Sequence, residues 1–323
     1  MQVCKKVIIK GSVRMGKVID CIIGHAIGDA MGVPTEFCDR NKLIKQPITQ
    51  MIGYGSHDVP AGTWSDDTSM EIAMIDSIIN TNNIDYNDIM YNYYCWLHDN
   101  KYTAIDEVFD AGRTCIGAII KYSKGCNPLE CGQNTYDSNG NGSLMRTAPI
   151  ALYSYYKELD SNKMREISDN VSSLTHAHEI SKMGCYIYNC YIINLLKGFN
   201  KFKAYENIKK ENYNAYSKET KEEYDRILKM DIGKLHIDDI SSSGYVVHTL
   251  ESALWIFLNS DNFKDCIIAS SNIGNDTDTI GAVVGSLAGI YYGIESIPTT
   301  WINKLQKKDY LLDLATKFEN VIQ

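Results

Sequence analysis

Residues 276–293 read DTDTIGAVVGSLAGIYYG: two acids and two threonines, then an apolar run with Gly281, Gly285, Gly289 and Gly293 at every fourth position. At 3.6 residues per turn that spacing lays the glycines along one helix face, smooth enough for another backbone to come close. Each interior glycine costs a helix roughly 1 kcal/mol relative to alanine, so the stripe needs a packing reason. The same spacing recurs in Gly24, Gly28 and Gly32 of IGHAIGDAMG. Two buried helices in close contact with neighbours are expected, one candidate pairing being with each other. Such spacing also occurs in membrane helices, but His25 and Asp29 interrupt the first stripe.

Helical periodicity dominates elsewhere, in DTSMEIAMIDSIIN (67–80), DEVFDAGRTCIGAIIKYS (106–123), KMGCYIYNCYIINLLKG (182–198) and VVHTLESALWIFLNS (246–260). Alternating strand patterns are scarce, and turn-rich segments such as CGQNTYDSNGNGSL separate the helical blocks. The expected fold is all-α, one compact multi-helix domain over residues 16–323 behind an extension at 1–15. The segment 202–231 is charged and tyrosine-rich with few aliphatics, and reads as a solvated helical excursion near 200–240.

The 323 residues carry a net charge of −8, which argues against a groove that neutralises nucleic-acid phosphates. An anionic ligand would need a local device. No CxxC pair occurs among the ten cysteines, so they read as reduced core thiols of a cytoplasmic protein rather than disulfides or zinc ligands. The N-terminal stretch lacks the apolar core of a secretory signal, and no segment reaches membrane-spanning length. A monomer is expected.

Both stripes adjoin acids. Glu36 follows the first; Asp276 and Asp278 open the second; Ser65, Asp66, Asp67 and Thr68 open a third helix. One acid at such a position is explained by capping, since its oxygen accepts from the exposed N–H groups. Five acids at helix ends are not, because gathered carboxylates repel and raise one another's pKa. Divalent cations relieve that cost, and an oxygen-only donor set selects hard ions such as Mg²⁺ or Mn²⁺. A pair of metals suits this many acids better than one.

Taken together, GDAMGVPTEF, GTWSDDTSM, NGNGSLMRTAPIAL, THAH and IGNDTDTIGAVVGSLAG resemble, in this order, the ADP-ribosylglycohydrolase family, over about residues 16 to 300. The resemblance implies a two-Mg²⁺ centre that cleaves the bond between ADP-ribose C1″ and an acceptor. By it, Ser65, Asp66, Asp67, Asp276, Asp278 and Thr279 hold metal, while Glu36, on a flap, and Asp67 are candidates for proton transfer. Asn141, Gly142, Ser143 and Met145 match a loop that cradles the diphosphate, where Gly140 and Gly142 would let backbone N–H groups approach phosphate oxygens. His176 matches a ligand-site histidine and Tyr245 a pocket wall; His248 stands where the family leads one to expect an acid.

EVFDAGRTC resembles the segment of the nitrogenase-regulating and arginine-directed members, which makes Asp110 the candidate reader of a guanidinium leaving group through two parallel hydrogen bonds. The expected substrate is an ADP-ribosylated protein, most readily mono-ADP-ribosyl-arginine, or a small conjugate. ADP-ribosyl-serine and O-acetyl-ADP-ribose stay open, as does an inactive binding relative. DTDT also resembles the nucleophile motif of haloacid-dehalogenase-type phosphatases, but that motif follows a buried strand and SSNIGN does not read as one.

Overall fold

The computed structural model describes residues 16–323, so the extension at 1–15 lies outside the described residues. They form sixteen α-helices and seven short 3₁₀ turns with no strand, only two isolated bridges, Gln133 with His176 and Gly140 with Tyr245. The all-α expectation holds. Among the described residues the cysteines are free thiols, mostly buried. No described helix is long and apolar enough to cross a membrane.

At the centre the Lys17–Gly32 helix lies antiparallel against the Thr277–Tyr292 helix, both buried over nearly their whole length. The glycine stripes face each other. A methyl group on Gly24 would overlap the carbonyl of Gly285, one on Gly28 that of Gly281, and one on Gly32 the backbone of Thr277 and Asp278. Removing every Cβ from the seam lets the backbones touch and secures dense packing on both sides. The interlock also fixes register: the C-terminal turn of the first helix, with Asp29, meets the acidic start of the second.

The Asp66–Thr81 helix is buried through its first three turns and begins at the same end of the molecule. Ser65 is its N-cap, accepting from the Asp67 N–H at 3.3 Å. The helix stops at Asn82, which takes the left-handed conformation that ends many helices.

Two sequence expectations change. The periodic segment 106–123 is helical only over Arg113–Ser123. Asp106 and Asp110 have φ of 61° and 54°, which no right-handed helix accommodates, and the freed loop carries Asp110 to the site. The charged segment is helical as read, through Lys201–Ile208, Lys218–Glu223 and Asp225–Lys229. It is not simply solvated, because Tyr205, Tyr213, Tyr216 and Tyr224 are buried and stand in for the missing aliphatics. Tyr224 donates to the Ile180 carbonyl at 2.6 Å and Tyr216 to Asp169 at 2.7 Å, so the rings go inside with their hydroxyls paired.

Candidate metal centre and substrate cleft

The meeting of three helix ends puts both acidic motifs and Asp29 in one place. Ligand oxygens of Asp29, Asp67 and Asp278 lie within 4.8 Å of one another, as do those of Glu36, Asp276 and Asp278. The two motifs touch directly: Ser65 and Thr279 both donate hydroxyls to Asp67 Oδ2, at 3.0 and 3.3 Å. Asp276 begins its helix without capping it. Its Oδ2 instead accepts from the Asn141 amide at 2.7 Å, tying the glycine loop to the acids.

Asp29 is the site residue that the sequence reading passed over, having served there only as an interruption of the glycine stripe. It accepts from the backbone N–H groups of Ser65 and Thr68 and from the Thr68 hydroxyl at 2.6 Å. The signal was present as an acid one turn after His25 on a mostly apolar helix; only the register of the glycine seam gives it meaning.

Burial pushes Asp66, Asp67 and Asp278 well above the usual carboxylate range, neighbouring acids adding to it. Asp276 is raised by burial as well, and Asp29 is pushed up to about 6 by the same cause. For Glu36, burial and then the charges of Asp110, Asp276 and Asp66 push the carboxyl up to about 10. No lysine or arginine is bonded to these acids among the described residues. Asp67 Oδ1 and Asp278 Oδ2 are buried without any hydrogen-bond partner. Orphaned carboxylate oxygens in an acid cluster are what a cation would satisfy, so the donor set of Ser65, Asp66, Asp67, Asp276, Asp278 and Thr279 fits hard divalent ions.

The acids open into a cleft of about 400 Å³ whose lining includes Glu36, Asp66, Asp110, Asn141, Gly142, Met145, His176, Asp276 and Thr279. Two larger hollows, of about 490 and 510 Å³, lie near Asn87 and Asn127 and lack convergent acids. The smaller one is the candidate site for that reason. Asp110 joins the cluster, with ligand atoms of Glu36, His57 and Asp110 within 4.8 Å of one another, its carboxyl raised chiefly by burial. Beside it the Gly112 N–H points to Asp66 Oδ2 at 3.4 Å.

Asn141–Ser143 forms a single 3₁₀ turn at the floor of the cleft. Gly142 rests against the ring of His176, where a Cβ would collide. His176 is neutral, its pKa lowered to about 3 by burial and then by Arg146, and its Nδ1 pairs with the Thr175 hydroxyl at 2.7 Å. Ser143 points away from the cleft, its hydroxyl bonded to Ser172 and Cys185 in the core. Tyr245 lies outside the acid cleft, walling an adjoining hollow of about 380 Å³ that shares Gly140 and Gly244 with it. His248 turns to Ser243 at 2.7 Å and packs edge-on to Tyr245. Among the described residues the segment before Asp276 is the Phe263–Ser271 helix, not the buried strand a phosphatase motif requires.

A family model described as ADP-ribosylglycohydrolase matches residues 11–323. The ADP-ribosylarginine hydrolase Tri1 of Serratia proteamaculans (strain 568) is 30% identical over 312 residues, covering 95% of this chain and 80% of its own length. The ADP-ribosyl-[dinitrogen reductase] glycohydrolase of Rhodospirillum rubrum is 28% identical, over 90% of this chain and 91% of its own. The mouse ADP-ribosylhydrolase ARH3 is 25% identical over 94% of this chain and 91% of its own. A solved structure described as an ADP-ribosylglycohydrolase-related protein complex shares the fold, with a TM-score of 0.81 at 24% identity over 96% of this chain and 99% of that one.

Proposed function

The chain belongs to the ADP-ribosylglycohydrolase family and is a hydrolytic enzyme that removes ADP-ribose, and from this premise we infer that its substrate is mono-ADP-ribosyl-arginine on protein. The observation that carries the choice of acceptor is Asp110, a carboxylate in the same cleft as Glu36 and Asp66, with an oxygen within 4.8 Å of one of Glu36. A guanidinium matches a carboxylate with two parallel N–H···O bonds, which a serine oxygen cannot offer. The relative named as an ADP-ribosylarginine hydrolase supports the same acceptor.

Two Mg²⁺ ions, or Mn²⁺ in their place, would be held by Ser65, Asp66, Asp67, Asp276, Asp278 and Thr279. When bound, such a pair supplies Lewis-acid stabilisation of negative charge on substrate oxygens. The protein's own residues do the rest. Gly140 and Gly142 line the cleft without side chains, leaving room for a diphosphate beside the backbone. His176, neutral and wedged under Gly142, keeps that turn in place. Asp110 would hold the guanidinium leaving group in the cleft that Glu36 also lines.

Glu36 is the group that moves a proton. Its carboxyl lies in the cleft, and its raised pKa suits a side chain that holds a proton at one stage and releases it at another. Asp67 is the second candidate. It is bonded to Ser65 and Thr279 through Oδ2, so only Oδ1 is free for the task.

The deciding experiment offers ADP-ribosyl-arginine peptide, ADP-ribosyl-serine peptide and O-acetyl-ADP-ribose with Mg²⁺ and measures release of free ADP-ribose. Preferred turnover of the arginine conjugate, lost in Asp110→Asn, supports the reading. Preferred turnover of either other substrate overturns the acceptor assignment. Location in the cytoplasm and action as a monomer belong to the same proposal.

A further inference from the structure

Glu36 is crowded by acids and yet stays in the cleft. Oxygens of Glu36, Asp276 and Asp278 lie within 4.8 Å of one another, with no lysine or arginine bonded to any of them among the described residues. The flap that bears Glu36 is slight, a 3₁₀ turn at Val33–Thr35 followed by Phe37 with φ of 59°. A contact from outside the flap would fix where the carboxyl points.

That role falls to His57, on the loop before the SDDT motif. Its Nε2 lies 2.5 Å from Glu36 Oε2, and ligand atoms of Glu36, His57 and Asp110 converge within 4.8 Å. The ring is gripped on two sides, with centroids 5.2 Å from Phe109 and 6.1 Å from Phe37. Each phenylalanine is next in sequence to one of the two carboxylates concerned, Asp110 and Glu36. The loop itself is laced to the flap: Ser56 donates its N–H to the Pro34 carbonyl at 3.0 Å and its hydroxyl to the Glu36 carbonyl, and Gly55 lies against Pro34 with no room for a Cβ.

We propose that His57 is a positioning residue: its ring, held between Phe37 and Phe109, donates from Nε2 to Glu36 Oε2 and keeps that carboxyl at the reacting centre against the surrounding acids. The inference rests on the reading above in which Glu36 moves the proton. It gives a role to the stretch GYGSHDVP (53–60), which lies between the Glu36 flap and the SDDT helix start. A geometric fault of about 1 Å at a reacting group costs on the order of a hundredfold in rate, which sets the size of the effect sought.

The test compares His57→Ala and His57→Gln with the wild type, since glutamine offers an N–H donor at a similar reach. The readouts are kcat and KM with Mg²⁺ and ADP-ribosyl-arginine, affinity for free ADP-ribose, and hydrogen exchange at the Phe37 amide, which is bonded to the Asn275 carbonyl. Expected for His57→Ala are a kcat reduced roughly ten- to a hundredfold, KM and ADP-ribose affinity near the wild type, and faster Phe37 exchange. His57→Gln should recover most of kcat. Unchanged kcat, or a loss that glutamine does not restore and that ADP-ribose affinity shares, overturns the proposal. If the wild type itself turns over no conjugate, the functional reading has failed separately; Phe37 exchange then decides for His57, and equal exchange in His57→Ala overturns it.

Discussion

Thr68 donates its hydroxyl to Asp29 Oδ2 at 2.6 Å, and the N–H groups of Ser65 and Thr68 converge on the same carboxylate at 2.9 and 3.1 Å. An acid on the first glycine helix thus shapes the turn that presents Ser65, Asp66 and Asp67. The helix dipole adds to the arrangement, since the positive end of the Asp66–Thr81 helix faces Asp29.

Asp29→Ala would strip the acceptor from these buried donors, each worth about 1–3 kcal/mol when left unpaired. The expected result is a protein destabilised by about 3 kcal/mol or more in urea, with weakened Mg²⁺ binding by calorimetry. Asp29→Asn, which keeps one acceptor oxygen, should fall between. Wild-type Mg²⁺ affinity in Asp29→Ala would show that the turn is set without it.

The glycine seam predicts a strong asymmetry among glycine-to-alanine changes. At Gly28 the new methyl meets the Gly281 carbonyl, rigid backbone that cannot rotate away. Gly28→Ala should cost at least the roughly 1–3 kcal/mol typical of overpacking and should misplace Asp29, lowering activity beyond the stability loss. Gly112, with open space around its Cβ position and φ of −63°, should accept alanine with little change in stability. Thermal melts of the two variants decide. A Gly28→Ala protein as stable as Gly112→Ala would mean that the two helices are not in this contact.

Much of this was legible because periodic glycine and acid-rich helix starts are local patterns. The stripes at Gly24–Gly32 and Gly281–Gly293 announced close packing, and the two helix starts at Asp66 and Asp276 announced an acid cluster. Asp29 and His57 were not legible. Each matters only through a partner distant in sequence, Asp29 through Ser65 and Thr68, His57 through Glu36 and Phe109. The segment 106–112 was misread for a related reason: its apolar spacing is helical, but the positive φ of Asp106 and Asp110 places it in a loop. The buried tyrosines of 205–224 show the limit of counting aliphatics, since an aromatic ring with a paired hydroxyl fills a core as well.

The acid cluster makes the stability of the metal-free protein fall as pH rises. Asp29, pushed up to about 6, and Glu36, pushed up to about 10, keep protons that the unfolded chain releases near pH 4. A raised folded pKa gives stability that is complete below the unfolded value and is lost as pH climbs through the folded one. Cations bound at the proposed ligands would replace those protons. The gain in melting temperature on adding Mg²⁺ to chelator-treated protein should therefore be larger at pH 8 than at pH 5; an equal or reversed gain would mean that the cations bind elsewhere. Asp66→Ala and Asp67→Ala should lose both this gain and turnover while keeping their helical circular dichroism.

Glu71 allows the same linkage to be tested away from the proposed ligands. It lies one turn beyond Asp67 with both oxygens buried and unbonded, its nearest basic neighbour being His25 Nδ1 at 3.5 Å. Burial raises Glu71 well above the usual carboxylate range and lowers His25 to about 3, so both are neutral in the folded protein. The unfolded chain releases the Glu71 proton near pH 4.3, whereas the folded chain keeps it. Above that pH each unit therefore costs the wild type about 1.4 kcal/mol at this site, a slope of one proton, until the folded carboxyl titrates. Glu71→Gln keeps the shape and removes the titration. Its stability relative to the wild type, from urea unfolding, should rise between pH 5.5 and 7.5; a difference that does not change with pH would mean that the Glu71–His25 pair holds no proton in the folded protein.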